Sequence, residues 1–329
     1  MRRIFAFNGD ADGLCALQQL RLAEGAGPAQ LVTGPKRRTA LLAAVTAGPR
    51  DEITVLDVSF HTNRDAVLRL LAAGARVRYF DHHHAGSLPA HERLEAHIDL
   101  APATCTSAIV NTYLNAKYQA WAAVGAFGDN LAATGHALAY GLQDVATLER
   151  LGVLLNYNSY GETEADLFFA PGELHHRLAA YGDPLEFVRN DPAYQTLESG
   201  YAADLQQAHD LRPVAAREHA AVYVLPDASW ARRVSGALAN GLARAAPARA
   251  HAMLSPNSAG GMQVSVRAPL ERPAGAAALC LEYTTGGGRE AAAGINHLPM
   301  ESVGNFTERF LQHFDQAAFS NTRSTLGRR

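Results

Sequence analysis

Lysine is almost missing from this 329-residue chain: of its 29 basic residues only Lys36 and Lys117 are lysine. The remaining 27 are arginine, whose planar fork suits bidentate contact with phosphate, although a biased base composition of the gene yields the same preference. Cysteine is scarce as well. Cys15, Cys105 and Cys280 are odd in number, far apart and without a CxxC pair, which argues against a disulfide framework or a thiolate zinc site and fits a reducing cytoplasm. No apolar run is long enough to span a bilayer, and the short one in MRRIFAF is followed at once by Asn8 and Asp10, so neither a membrane segment nor a signal peptide is expected. Nor is there a large charge of one sign. A net charge of −3 supplies no global pull toward a long polyanion, so any contact with nucleic acid must be local, and a small or short substrate is favoured.

What the chain does have is 48% hydrophobic residues against 19% charged ones, the balance of a globular protein long enough for two domains. In the first half, short apolar runs alternate with helical patterns, the signature of βαβ units and a parallel sheet. Strands are expected at Ile4–Phe7, Gln30–Val32, Ile53–Asp57, Arg76–Phe80, His97–Ile98 and Trp121–Ala126, and helices at Gly13–Glu24, Arg38–Ala47, Asn63–Ala73 and Ser107–Leu114. From about Ala137 to Arg212 the pattern is mainly helical. A second strand-rich block follows at Ala221–Leu225, His251–Leu254 and Gln263–Arg267, with a glycine run TTGGGREAAAGI before its end near Leu311.

Acids and histidines gather where the strands of the first half end. Asp10 and Asp12 follow the first; Asp57 closes ITVLD; Asp81-His82-His83-His84 closes VRYF; Asp129 follows AVGAFG. In a parallel sheet these ends open into one crevice, the usual place for a ligand. Two carboxylates one residue apart repel each other. Divalent cations neutralise that repulsion, and a third carboxylate from a neighbouring strand can bridge two ions roughly 3.5–4 Å apart, as in two-metal hydrolytic centres. Mixed carboxylate and imidazole ligands suit Mn²⁺, and Mg²⁺ less well. Each piece also has an ordinary explanation, since DADG is a common turn, Asp57 and Asp129 are good helix caps, and a histidine run can be solvated. Thr104-Cys105-Thr106-Ser107 before a helix can receive a phosphate or cap the helix, and GPKRRT at 34–39 is the one dense basic run.

These motifs resemble those of the DHH phosphoesterase superfamily in its DHHA1-containing subgroup, which includes RecJ-like exonucleases, nanoRNases and nucleotide phosphodiesterases. The matching stretches, in order, are NGDADG at 8–13, VLD ending at Asp57, DHH at 81–83, GD at 128–129, VSVRAP at 264–269 and GGGREAAAG at 286–294. The resemblance implies an α/β fold: a parallel-sheet DHH catalytic domain with flanking helices at 1–170, a helical connector at 171–215, a smaller DHHA1 domain with a mixed sheet at 216–318 and a loose tail at 319–329. It implies that Asp10 holds one metal, Asp12, His82 and Asp129 the other, and that Asp57 bridges both. His83 would contact the phosphate or the attacking water, with Asp81 orienting the histidines and His84 structural. Substrate phosphate would meet Arg267, Arg289 and the amides of Gly286, Gly287 and Gly288, with Asn8 beside the metals.

Two departures stand out. Ala6 occupies a position where many members carry histidine, and Asn8 one where RecJ-like members carry aspartate, which leaves the first metal site poor in ligands. Arg289 replaces the histidine of the glycine motif, offering a permanent cation suited to a more anionic substrate. The sequence thus reads as a cytoplasmic, Mn²⁺-dependent phosphodiesterase or phosphatase with two ions, Mg²⁺ remaining possible. It acts on short single-stranded oligonucleotides or small nucleotides, without a membrane partner and with a homodimer left open. The alternatives are a RecJ-like single-strand exonuclease and a regulatory nucleotide binder whose centre has weakened.

Overall fold

The computed structural model describes residues 2–25 and 27–326, with side chains through Asp315. The chain divides into two compact units, Met1–Tyr201 and Ala202–Arg329. No helix among the described residues is long and apolar enough to cross a membrane. Of the loose tail expected at 319–329, positions 319–326 instead continue the last helix, and residues 327–329 lie outside the described residues.

The first unit contains β1 (Arg3–Phe7), α1 (Ala11–Glu24), β2 (Gln30–Val32), β3 (Glu52–Leu56), α2 (Phe60–Ala72), β4 (Arg76–Asp81) and β5 (Leu94–Ile98), then helices α3 (Thr106–Tyr113), α4 (Gln119–Gly128), α5 (Ala132–Leu138), α6 (Val145–Ser159), α7 (Pro171–Leu178), α8 (Pro184–Asn190) and the first part of α9 (Pro192–Ala208), which continues past Tyr201 into the second unit. Its five strands run in the order β2-β1-β3-β4-β5, every neighbour parallel. Because side chains alternate across a strand, Ile4, Ala6, Ile53, Val55, Val77 and Tyr79 pack on one face with α2, while Phe5, Phe7, Leu56 and Phe80 pack on the other with α1, α4 and α6. Both faces are therefore covered, which is why these strands read as continuous apolar runs. Each buried aromatic contributes roughly 2–3 kcal/mol.

Two expected elements differ. Trp121–Ala126, expected as a strand, lies inside α4. The stretch QAWAAVGAFG is apolar all round and buried from Trp121 to Gly128, and a short apolar run of this kind carries no period that separates helix from strand. The helix expected at Arg38–Ala47 is reduced to a 3-10 turn at Leu41–Ala44. Asn63 of α2 explains this: its amide donates to the Thr39 carbonyl at 2.7 Å and its oxygen accepts the Leu42 amide at 3.1 Å, holding the segment out of an α-helix.

The second unit adds β6 (Ala215–Ala216), β7 (Ala220–Val224), α10 (Ser229–Ala245), β8 (Ala250–Pro256), β9 (Gly261–Arg267), α11 (Ala276–Cys280), β10 (Gly286–Gly288), β11 (Ala292–Pro299) and α12 (Val303–Leu326). The sheet order is β10-β11-β9-β8-β7-β6, mixed, with β7 and β8 parallel across the α10 crossover and the other pairs antiparallel. Its core joins Val222, Leu254, Val264, Val266 and Ile295 to Phe306, Phe310 and Phe314 of α12.

Candidate metal centre

The carboxyl ends of β1, β3 and β4 deliver Asp10, Asp57 and Asp81-His82-His83 to one edge of the first sheet, as the parallel order requires. Asp10 is the N-cap of α1, its Oδ1 accepting the Gly13 amide at 3.1 Å. Asp12 sits in the first turn of the same helix. Asp57 holds a left-handed backbone, φ 58°, a conformation that costs a non-glycine residue about 1–3 kcal/mol and is found where function demands it. Asp129 does not close a strand; it is the C-cap of α4. It reaches the cluster because α4 packs tightly on its neighbours: a Cβ at Gly128 would stand 2.2 Å from that of Ala11 and 2.8 Å from the Gly152 carbonyl oxygen.

His82 lies at the centre. Its Nδ1 is 3.0 Å from the Thr104 carbonyl oxygen, which accepts only, so Nδ1 carries the proton and Nε2 the lone pair in the neutral ring. That Nε2 faces Asp57 Oδ1 at 3.3 Å, Asp129 Oδ2 at 3.8 Å and Asp12 Oδ2 at 3.9 Å. A lone pair facing three carboxylate oxygens is repulsive, and a metal ion among them, or a proton on one of the carboxyls, relieves it. Asp129 Oδ2 is buried without a hydrogen-bond partner. Donor atoms of Asp57, His82 and His83 all fall within 4.8 Å of one another. The donor set, carboxylate oxygens plus an imidazole fixed by a carbonyl behind it, fits a divalent ion such as Mn²⁺.

The electrostatics point the same way. Burial, then the charges of Asp10, Asp12 and Asp129, push the Asp57 carboxyl well above the usual range. Asp129 is raised by burial, against the pull of Lys36. Asp10 is the exception: burial acts to raise it, but Lys36 overrides burial and leaves it lowered.

The remaining expected residues are distributed as follows. Asp81 Oδ1 pairs with His83 Nδ1 at 2.7 Å, and its Oδ2 accepts the Phe60 amide at 3.3 Å, so Asp81 orients His83 rather than His82. His83 itself is half-exposed, and its Nδ1 is 3.9 Å from Asp57 Oδ1. His84 turns away, its ring against that of His61. Asn8 is buried beside the turn, its Oδ1 unpartnered, and Ala6 is fully buried in β1. In the second unit Arg267 ends β9, with Nε donating to Asn240 Oδ1 at 2.9 Å. Gly286, Gly287 and Gly288 form β10, an edge strand rather than an open loop, with Arg289 exposed in the hairpin that follows.

Several contacts were not visible in the sequence. The amides of Thr106 and Ser107, expected to meet phosphate or be capped locally, donate to Asp12 Oδ2 and Oδ1, each at 2.7 Å. A carboxylate from α1 thus serves as the anion at the N-terminus of α3. Thr106 Oγ1 donates to Asp57 Oδ1 at 3.2 Å. Lys36 enters the cluster, pairing with Asp10 Oδ2 and lying 3.8 Å from Asp129 Oδ1. Its rarity was the available signal, one of two lysines among so many arginines.

No family model matches the sequence, and no curated protein matches it. Solved structures do. RecJ from Thermus thermophilus in complex with Mn²⁺ is similar at a TM-score of 0.66 and 19% identity, over 96% of this chain and 52% of that one. An exonuclease RecJ bound to manganese is similar at a TM-score of 0.60 and 18% identity, over 95% of this chain and 90% of that one. The chain thus spans about half the length of the Thermus protein. At these identities the likeness shows the fold alone: a parallel-sheet α/β unit followed in the chain by a mixed-sheet unit.

Proposed function

We propose that this chain, which shares the fold of the RecJ exonucleases, is a metal-dependent phosphoesterase hydrolysing short single-stranded oligonucleotides or small nucleotides. The observation that carries the reading is His82 Nε2 facing oxygens of Asp12, Asp57 and Asp129 at 3.3–3.9 Å, with Thr104 fixing the ring from behind. Asp57, His82 and Asp129 would hold a divalent ion, with Asp12 at its border and Asp10 on the far side. A bound ion there supplies a Lewis acid that activates water and offsets charge on the phosphoryl group.

The chain's own residues do the rest. Thr104 and Thr106 lock His82 and Asp57 before substrate arrives, so no reorganisation is needed during the reaction. The Asp81 carboxylate holds His83 by Nδ1 and leaves Nε2 free to hydrogen-bond a phosphoryl oxygen or the water that attacks it. Lys36 adds a fixed positive charge on the opposite side of the cluster. In the second unit Arg267 and Arg289 are the substrate contacts of this reading, whereas the Gly286 amide is already engaged by the Tyr283 carbonyl at 2.8 Å and Gly287 and Gly288 lie in the β10–β11 ladder; Mn²⁺ is the metal that the donor set prefers over Mg²⁺.

The engagement of Asp10 by Lys36 favours one second reading, a nucleotide binder with weakened catalysis. One assay separates them: hydrolysis of dinucleotides, 3′-phosphoadenosine 5′-phosphate, cyclic dinucleotides and single-stranded DNA with Mn²⁺. Asp57→Asn and His82→Ala are each expected to lower kcat/KM at least about 100-fold by removing charge stabilisation at the centre. Nucleotide binding without turnover of any of the four substrates would instead support the regulatory reading.

A further inference from the structure

We infer that the Lys36 ammonium replaces the first of the two cations expected from the motifs, so that this centre takes a single divalent ion. The inference rests on the metal-centre reading above and deepens it. Lys36 Nζ pairs with Asp10 Oδ2, lies 3.8 Å from Asp129 Oδ1 and donates to Asn156 Oδ1 at 3.2 Å. Two hydrogen-bond acceptors and a third, more distant carboxylate oxygen therefore surround the ammonium.

The side chain is held in this position from several directions. Its backbone amide donates to the Ser159 carbonyl at the end of α6 at 3.0 Å, and Nζ lies 5.8 Å from the centre of the Tyr160 ring. The loop carrying it is drawn against the turn after β1, where a Cβ on Gly9 would stand 2.3 Å from the Gly34 carbonyl oxygen. Only glycine at position 9 permits that approach.

The first metal position has little left to offer. Asp10 has both oxygens engaged, Oδ1 with the Gly13 amide and Oδ2 with Lys36. Ala6 contributes a methyl group and Asn8 a neutral amide, so the one carboxylate there already has its counter-ion. A divalent ion added beside the ammonium would meet like charge and would have to share the two carboxylates, Asp10 and Asp129, that already face Lys36.

Asp129 marks the division between the two halves of the centre. Its Oδ1 is turned toward Lys36, while its Oδ2, which has no hydrogen-bond partner, faces His82 Nε2 at 3.8 Å. The carboxylate thus bridges a permanent ammonium on one side and the position for an exchangeable cation on the other. Lysine's compact point charge suits this role better than the guanidinium used almost everywhere else in the chain.

The test is Mn²⁺ stoichiometry of the full chain by isothermal titration calorimetry, with electron paramagnetic resonance of the loaded protein. One Mn²⁺ per chain and an uncoupled six-line spectrum are expected. Lys36→Met should bind a second Mn²⁺ and show an exchange-coupled spectrum. Asp10→Asn should keep one ion, with its dissociation constant within about threefold of the parent, and it carries the test if Lys36→Met does not fold. Two exchange-coupled ions in the parent chain, or an ion lost in Asp10→Asn, would overturn the inference while leaving metal-dependent hydrolysis standing. A folded Lys36→Met that stays at one ion would also overturn it. A parent chain that takes up no Mn²⁺ would remove the metal-centre reading as well.

Discussion

His175, buried in α7 against the Phe7 ring at a centroid distance of 6.0 Å, shows how one residue ties stability to pH. Burial, with Arg21 and His176 nearby, lowers its pKa to about 3 from an ordinary 6.5. Because the folded value is depressed, the unfolded chain binds the proton first as acid is added. Stability is therefore complete above about pH 6.5 and falls on acidification toward pH 3, by up to about 1.4 kcal/mol per pH unit for this group. His175→Leu, of similar bulk and without a titrating ring, should flatten the slope of urea-unfolding free energy across that window. An unchanged slope would assign the acid sensitivity elsewhere. At this scale the acids and histidines of the centre were legible, since unpaired charge beside apolar strands is conspicuous. The hydrogen-bond roles of Asp12 and Lys36 were not, because their partners Ser107 and Asn156 lie 95 and 120 positions away.

The α4–α6 crossing carries the corresponding argument for elements. Gly128 and Gly152 let the two helices approach until a Cβ on Gly152 would stand 2.4 Å from the Val124 carbonyl oxygen. Replacing a helical glycine by alanine ordinarily gains about 1 kcal/mol in helix propensity. Here the added methyl at Gly128 meets the Ala11 side chain and a backbone oxygen of α6, and overpacking of this kind costs about 1–3 kcal/mol. The clash wins, so Gly128→Ala should lower Tm by a few degrees and, by displacing the neighbouring Asp129, weaken Mn²⁺ binding about tenfold in calorimetry. A variant with raised Tm and unaltered Mn²⁺ affinity would contradict this. α4 resembled a strand in sequence for a related reason: it is buried on every side from Trp121 to Gly128, which erases the amphipathic period.

Across the whole molecule, each unit has its own core, and the second also depends on a charge pair. Arg233 of α10 donates through Nε to Asp204 Oδ2 at 2.8 Å and through Nη2 to Oδ1 at 3.2 Å, with Asp204 almost fully buried. Removing the guanidinium takes two charge-assisted hydrogen bonds from a nearly buried carboxylate, at a cost of about 1.5–3 kcal/mol. Arg233→Ala should therefore lower the unfolding midpoint reported by Trp230 in a Trp121→Phe background, and a midpoint unchanged from the parent would show the pair to be dispensable. The order of acid-bearing motifs, the parallel sheet of the first unit and the strand-rich second block followed from the sequence alone. Hydrophobic alternation and strand-end chemistry are local properties that survive in one dimension. What only the tertiary structure decided is the occupancy of the centre: which oxygens of Asp10 and Asp12 are already bound, that Asp129 arrives on a helix, and that Lys36 stands among them. Those outcomes depend on distances of a few ångströms between residues far apart in the chain, and only the packing of the helices around the sheet sets them.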